Sequence, residues 1–480
     1  MAYKHGVYTS EVPTTILPQI TVAAPTVAFG TAPVHLATAP AAANVPVLCT
    51  SLAEFVTQFG WSDDFDKYTL CEAAQVHLQL FRTSPVIFVN VLDTDTHSKS
   101  STATVEGVST PVTLTAPIIL STLKVTSGTG ATLVDLKAGE DYTAEHDASG
   151  NVTLTFISLS KVVDDKVALS YKEVDASAVT ASDIIGGVDV TTGKNTGLEL
   201  VEEVYPRTGL IPGTLIAPKW STNPAVAAML KAKAQEINGV FRAMAIADIP
   251  TASAPRYTAV NAVKNTNNLV DPHLIVTYPM VALGGVKYHL STQVAALCGQ
   301  VDAAHDDIPY KSPSNEELQC DQSCLADGSD IFLGKSQANY LNGLGVVTAL
   351  NFVGGWRCWG NRTSAYPASS DVKDNFIPVR RMFNWISNTL VTSFWSRIDM
   401  PVNRRLVESV VDSANIWLNG LTARGALVGG RVEFLDTENP QTDLLDGIIK
   451  FHVYIAPPVP AREISFVQEY DASYLSTLFS

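Results

Sequence analysis

Two cysteines four positions apart, Cys320 and Cys324, lie in the polar run Ser314-Asn315-Glu316-Glu317-Leu318-Gln319-Cys320-Asp321-Gln322-Ser323-Cys324, which reads as exposed. Thiols so placed can pair once they meet an oxidising medium. A zinc centre would need a second ligand pair at matching spacing, which the run lacks. The chemistry left open at this spacing is a disulfide between subunits. Cys49, Cys71, Cys298 and Cys358 stand in apolar or mixed surroundings and read as buried thiols.

Other chemistry is sparse. Gly187-Val188-Asp189-Val190-Thr191-Thr192-Gly193-Lys194-Asn195 approaches a phosphate loop, but it has one residue too many between its glycines and an Asn where the metal-binding hydroxyl belongs. Asp302-Ala303-Ala304-His305-Asp306-Asp307 has a His beside carboxylates with no second histidine cluster, so it reads as a polar surface turn. There is no Gly-x-Ser-x-Gly elbow and no His-Glu-x-x-His helix. No catalytic residue, metal ligand or cofactor is assigned, and weight shifts toward a structural protein. The run Asn351-Phe352-Val353-Gly354-Gly355-Trp356-Arg357-Cys358-Trp359-Gly360-Asn361-Arg362-Thr363 reads as a tight, buried turn packed at a domain junction, with Arg357 and Arg362 available to stack or to make fixed hydrogen bonds.

The elements that must position these residues alternate. Thr69 to Phe81 has helical spacing and Pro85 to Val91 is a buried strand. Composition changes near Thr94, after which Thr, Val, Ser and Gly dominate. Short strands at Val112–Thr115, Leu123–Val125, Val152–Phe156 and Val167–Tyr171, separated by glycine turns, predict a small β-sandwich or barrel. The α/β rhythm then resumes with strand Thr214–Ala217, a helix capped by Asn223 with Pro224 at its first position, and strands Phe241–Ala247 and Leu274–Tyr278. A helix around Ser291 to Leu297 follows. Helices are expected over Phe376–Asn388 and Val402–Asn419, and a strand over Gly430–Phe434.

The fold class expected is mixed α/β (α+β) and multidomain. An N-terminal arm covers 1–20, the α/β core 21–93 and 180–350, an inserted β-sandwich-like outer domain 94–179, a C-terminal domain 351–460 and a C-terminal arm 461–480.

With 480 residues, 46% hydrophobic and only 16% charged, the chain is poorer in charge than an average soluble protein, and no apolar stretch is long enough for a membrane helix. The start, Met1 to Gly6, lacks the apolar core of a signal peptide. Low charge without a membrane span points to large protein interfaces. The net charge of −15 argues against nucleic acid as a direct partner, although Arg380, Arg381, Arg404, Arg405, Arg424 and Arg431 gather in the C-terminal third.

The two ends read as extended arms. Ile448 to Ile455 is strand-like, Pro457-Pro458-Val459-Pro460 stops it, and Glu463 to Tyr470 is strand-like again. Prolines cannot donate to a ladder and favour an extended connection, so the last strand needs an edge on another molecule. His5 to Val12, closed by Pro13, repeats the arrangement at the N-terminus.

Gly6-Val7-Tyr8 followed by Glu11-Val12-Pro13, the turn Gly355 to Thr363, and Ala456-Pro457-Pro458 leading to Tyr470-Asp471 resemble the tail sheath proteins of contractile-tailed bacteriophages. The resemblance implies a structural subunit of the virion tail, assembled in the host cytoplasm. Such subunits stack in rings around a tail tube and contract to drive it through the host envelope. It implies as partners other copies of the chain, the tube protein, and baseplate and terminator proteins, with no membrane insertion. It also implies that the arms add strands to neighbouring subunits, through Val7, Tyr8 and Val12 at one end and Ile464, Phe466 and Gln468 at the other. Arg404 and Arg405 are then expected to face the tube. Cys320 and Cys324 are no part of that pattern. The alternatives are the sheath of a phage-like bacteriocin or injection particle, an α/β enzyme, or an adhesin built on the β insert.

Overall fold

The computed structural model describes residues 24–129, 133–147 and 149–479; the N-terminal arm, with Val7, Tyr8 and Val12, lies outside them. The chain is mixed α/β, with several sheets and helices.

Its centre is an eight-stranded sheet. The strands are β1 (Thr26–Gly30), β2 (Pro46–Cys49), β3 (Val86–Asn90), β4 (Thr214–Ile216), β5 (Met244–Asp248), β6 (Leu274–Thr277), β7 (Val346–Asn351) and β8 (Trp356–Trp359). Their order is β2-β3-β1-β4-β5-β6-β7-β8, with β3 to β7 parallel and both edge strands antiparallel. Every residue of β1, β3, β4, β5 and β6 is buried, which explains why they read as unbroken apolar runs. Pro46 opens an edge strand, where its missing N–H is tolerated.

Helices cover this sheet. The expected helix over 69–81 forms as Thr69–Ala74 and continues as a π-helical turn, Gln75–Leu80. Pro224–Gln235 begins as predicted, with the Asn223 side chain accepting from the Ala225 N–H. Leu290–Ala303 is longer than expected and buried along most of its length.

Between β3 and β4 the chain builds two small antiparallel sheets. One has the order Ser98–Glu106, Lys166–Val174, Lys124–Ser127, Val134–Leu136; the other Val112–Leu114, Val152–Phe156, Tyr142–His146. They enclose an apolar core of their own that includes Ile118, Tyr142, Leu154 and Leu169, separate from the core of the central sheet. Ser98–Glu106, Val134–Leu136 and Tyr142–His146 were not foreseen. Polar residues dominate Ser98–Glu106 and make up most of Tyr142–His146, and Val134–Leu136 is only three residues long, so these become strands through the partner they pair with.

A third core joins helices Ile377–Phe394 and Arg404–Ala423, with Trp385 and Trp417 at 5.6 Å between ring centroids and Met382, Ile386 and Leu418 around them. Burying each such side chain contributes about 1.5–3 kcal/mol. A two-stranded antiparallel sheet, Gly429–Glu433 with His452–Ala456, packs on it. The strand expected over 463–470 does not pair with anything among the described residues; from Pro457 the chain runs irregular, and from Ala461 exposed, until the 3-10 turn Ala472–Phe479.

Candidate functional site

The residues that hinted at chemistry are engaged elsewhere. The phosphate-loop candidate is a hairpin, Gly187–Val188 against Asn195–Thr196. Asp189 Oδ1 accepts from the N–H groups of Thr191 and Thr192 at 2.7 and 3.1 Å, so the amides that would cradle a phosphate hold a carboxylate of the loop itself. Residues 304–307 form the expected turn with Asp306 exposed, whereas half-buried Asp302, in the helix before it, makes a two-pronged ion pair with buried Arg381; His305 Nδ1 sits 2.7 Å from the Val301 carbonyl. No trio of His, Cys, Asp or Glu among the described residues is placed to hold a metal.

Cys320 and Cys324 differ from expectation as well. Cys324 is buried in the strand Gln322–Cys324, which pairs with Met280–Leu283, and Cys320 is half-buried. Ser323 fixes the segment by donating to the Ile331 carbonyl, and burial pushes the Cys320 thiol up to about 12. Asn315, Glu317 and Asp321 are exposed as the polar run suggested, while the strand pairing takes Ser323 and Cys324 out of solvent.

The turn after β7 combines left-handed Gly354 and Gly355 with β8, whose Cys358 is buried while Trp356 and Trp359 are half-buried. Arg357 Nε donates to the Gly354 carbonyl at 3.1 Å, and the Arg362 guanidinium stacks 3.8 Å from the Phe376 ring and 4.5 Å from that of Tyr366.

Two buried carboxylates escaped sequence reading. Glu72 accepts from the His289 N–H at 2.7 Å and from Thr292 Oγ1 at 3.0 Å, and its second oxygen lies 2.8 Å from His289 Nδ1. Asp248, at the end of β5, accepts from the hydroxyls of Ser221, Thr277 and Ser291 and from the Ser291 N–H at 3.0 Å. Together they clamp the N-terminus of helix Leu290–Ala303, whose free N–H groups and dipole favour negative charge. Ser291 donates to Asp248 and the His289 ring faces Glu72, so no imidazole activates a hydroxyl here. Only their position in space links these residues, and nothing in the sequence spacing could have found them.

What the surface offers is an unfinished sheet. On the outer side of Gly429–Glu433, the Asn415 side chain accepts from the Val432 N–H at 2.8 Å and donates to its carbonyl at 3.0 Å, which closes that edge against the helix. The outer side of His452–Ala456 has no strand on it among the described residues. An open edge of this kind is a template for another strand. Next to it in sequence runs the terminal segment, where Ile464 is 74%, Phe466 88% and Val467 95% exposed and Gln468 is also exposed. Apolar side chains alternate with polar ones along a backbone that lacks ladder partners.

The basic group divides. Arg380 and Arg381 are buried, paired with Asp374 and Asp302, and are unavailable to a partner. Arg404 and Arg405 are exposed in the first turn of helix Arg404–Ala423, with Arg404 paired only to Glu408 at 2.6 Å. Cations at the positive end of a helix dipole oppose it, and only the Arg404–Glu408 pair offsets that cost. Beside them the connection between the helices exposes Trp395, Ile398, Met400 and Val402, an apolar patch the sequence reading passed over.

Comparison with known proteins gives one consistent answer. The chain is 29% identical to the tail sheath protein of Burkholderia phage BcepMu, over 99% of its own length and 98% of that protein's. It is 24% identical to the major tail sheath protein of Serratia phage KSP20, over 79% and 89% of the two chains. Among solved structures it matches the helical sheath of the anti-feeding prophage in its contracted state, with a TM-score of 0.58, 15% identity and coverage of 97% and 99%. No family model matches the chain.

Proposed function

We infer that this chain, a homologue of phage tail sheath proteins along nearly its whole length, is a structural subunit of a contractile tail sheath. The observation that carries this reading is the relationship itself, which spans both chains from end to end. It works by assembling with copies of itself in a helical array in the virion tail.

The open edge of His452–Ala456 and the exposed segment with Ile464, Phe466 and Gln468 support linkage by strand exchange: the terminal strand of one subunit pairs on the two-stranded sheet of another. Each added backbone hydrogen bond contributes a net ~1 kcal/mol, so several keep subunits joined while their bodies move. Val7, Tyr8 and Val12 are assigned to the same role at the other end. We read residues 94–179 as the outward-facing unit, and Arg404 and Arg405 with the neighbouring apolar patch as the face turned to the tail tube. The baseplate and terminator proteins then close the two ends of the array. A disulfide between copies would draw on Cys320, the less buried of its pair, once its segment opens.

The role is mechanical. Contraction exchanges one set of contacts between bodies for a larger one, from an extended state held by a kinetic barrier. Negative-stain electron microscopy of the purified chain at high concentration, alone and with its tube protein, tests the reading. Hollow ribbed tubes are expected, and discrete particles under both conditions would overturn it.

A further inference from the structure

The contact between the β insert and the central body includes two histidines. His35, in the 3-10 turn Val34–Leu36 of the body, meets His146, at the end of the insert's strand Tyr142–His146, with ring centroids 5.8 Å apart and planes at 78°. His35 Nδ1 and His146 Nε2 are buried without a hydrogen-bond partner. Immediately beyond, the turn at Gly150 presses on the body: a Cβ added there would lie 3.3 Å from Leu36 Cδ1.

The surroundings offer these rings little charge. On the body side the neighbour of His35 is the Tyr68 ring at 6.1 Å, itself buried, with Asp64 acting on Tyr68. On the insert side the charged group that acts on His146 is Asp147, whose carboxylate is already engaged by the N–H groups of Ser149 and Asn151 and by Asn151 Nδ2, at 2.8 to 3.0 Å. Glu145 is exposed and, by strand alternation, points to the opposite face from His146.

We propose that His35 and His146 form an acid-sensitive latch between the insert and the body, closed when both rings are neutral and opened by protonation, with each part staying folded. Desolvation, and for His35 the neighbouring His146, lower both pKa values, that of His35 from 6.5 to about 4. The sign follows: a histidine with a depressed folded pKa stabilises its contact above the unfolded value, and that stability is lost as pH falls from 6.5 toward about 4. Two imidazolium ions at this spacing also repel. The chain still crosses between the parts at 93–98 and 174–180, so opening swings the insert without releasing it. This holds whether or not the chain assembles as a sheath.

Hydrogen exchange of the full chain, corrected for the intrinsic rate at each pH, tests the latch at about pH 7 and about pH 4.5. Protection of residues 34–36 and 142–151 is expected to fall by about tenfold or more on acidification, while β4 to β6 keep theirs. In His35→Phe/His146→Phe the fall is expected to vanish; should that variant not fold, His35→Gln alone is expected to reduce it. An equal fall in the folded variants, no fall in the parent chain, or simultaneous loss in β4 to β6 would each overturn the proposal.

Discussion

Arg381 Nη1 donates to Asp302 Oδ1 at 3.0 Å while Nη2 donates to Oδ2, and this fork ties helix Ile377–Phe394 to helix Leu290–Ala303. It is the charged tie of a polar seam between helix Ile377–Phe394 and the body, alongside Asn384 and Asn388, whose amides donate to the Ala243 and Arg242 carbonyls. Removing one partner leaves a buried charge, so Arg381→Met is expected to cost about 3–5 kcal/mol in urea unfolding. Arg381→Met with Asp302→Leu is expected to recover most of that loss. Equal losses in single and double variants would contradict a cost that arises from the orphaned ion.

The Glu72–His289 pair gives stability the opposite pH slope to the latch. Burial works to lower the His289 pKa, but the charge and hydrogen bond of Glu72 outweigh it and raise the value from 6.5 to about 9. Its contribution is therefore full below 6.5 and lost as pH rises through about 9. Urea midpoints between about pH 6 and 10 should decline for the parent chain, and Glu72→Gln should flatten that decline while lowering the midpoint at neutral pH. A parallel decline in the variant would assign the slope to other groups.

Ending the chain at Pro460 removes, among the described side chains, residues 461–475, all of them exposed. Thermal unfolding of the shortened protein is expected to match the full chain within about 0.5 kcal/mol, whereas tube formation is abolished. Tubes assembled by the shortened chain would rule out strand exchange through that end.

Arg404→Glu/Arg405→Glu separates folding from assembly. Acidic residues suit the first turn of a helix, but Glu at 404 also loses the pair with Glu408 and repels it, so the isolated variant is expected to match the parent within about 0.5 kcal/mol. Co-sedimentation with tube protein should nevertheless be lost. Unchanged co-sedimentation would mean that the tube is met by another face.

Thiol labelling gives a direct check on Cys320 and Cys324. With the thiol of Cys320 pushed up to about 12 and Cys324 buried, both should react slowly with a disulfide reagent in the native chain and promptly in denaturant. Fast native labelling of Cys324 would mean that the 320–331 segment opens readily.

Sequence carried the parts of this fold that depend on local rules. Asn223 and Pro224 announced a helix start, and Val167 to Tyr171 alternates as an antiparallel strand should, because cap geometry and a two-residue repeat are written in neighbouring residues. Ser98–Glu106 was invisible, because mostly Ser, Thr and Lys face solvent there and its strand character comes from pairing with Lys166–Val174. The same limit applied to function. The exposed segment behind Pro457, Pro458 and Pro460 could be read in sequence, whereas Glu72 needs His289 and Asp248 needs Ser291, and no local pattern connects such distant positions.

The pairing of Ser98–Glu106 with Lys166–Val174 runs nine residues on each strand, from Ser98 opposite Val174 to Glu106 opposite Lys166. The chain thus leaves the body and returns to it at one doorway, and the space between the two crossings is independent of what lies beyond them. Such a doorway makes the intervening segment a cassette: any fold whose ends lie about 5 Å apart, the spacing of paired strands, fits the same stem. If residues 94–179 face outward in the assembly as proposed, a particle built from these subunits would display one copy of such a graft per subunit.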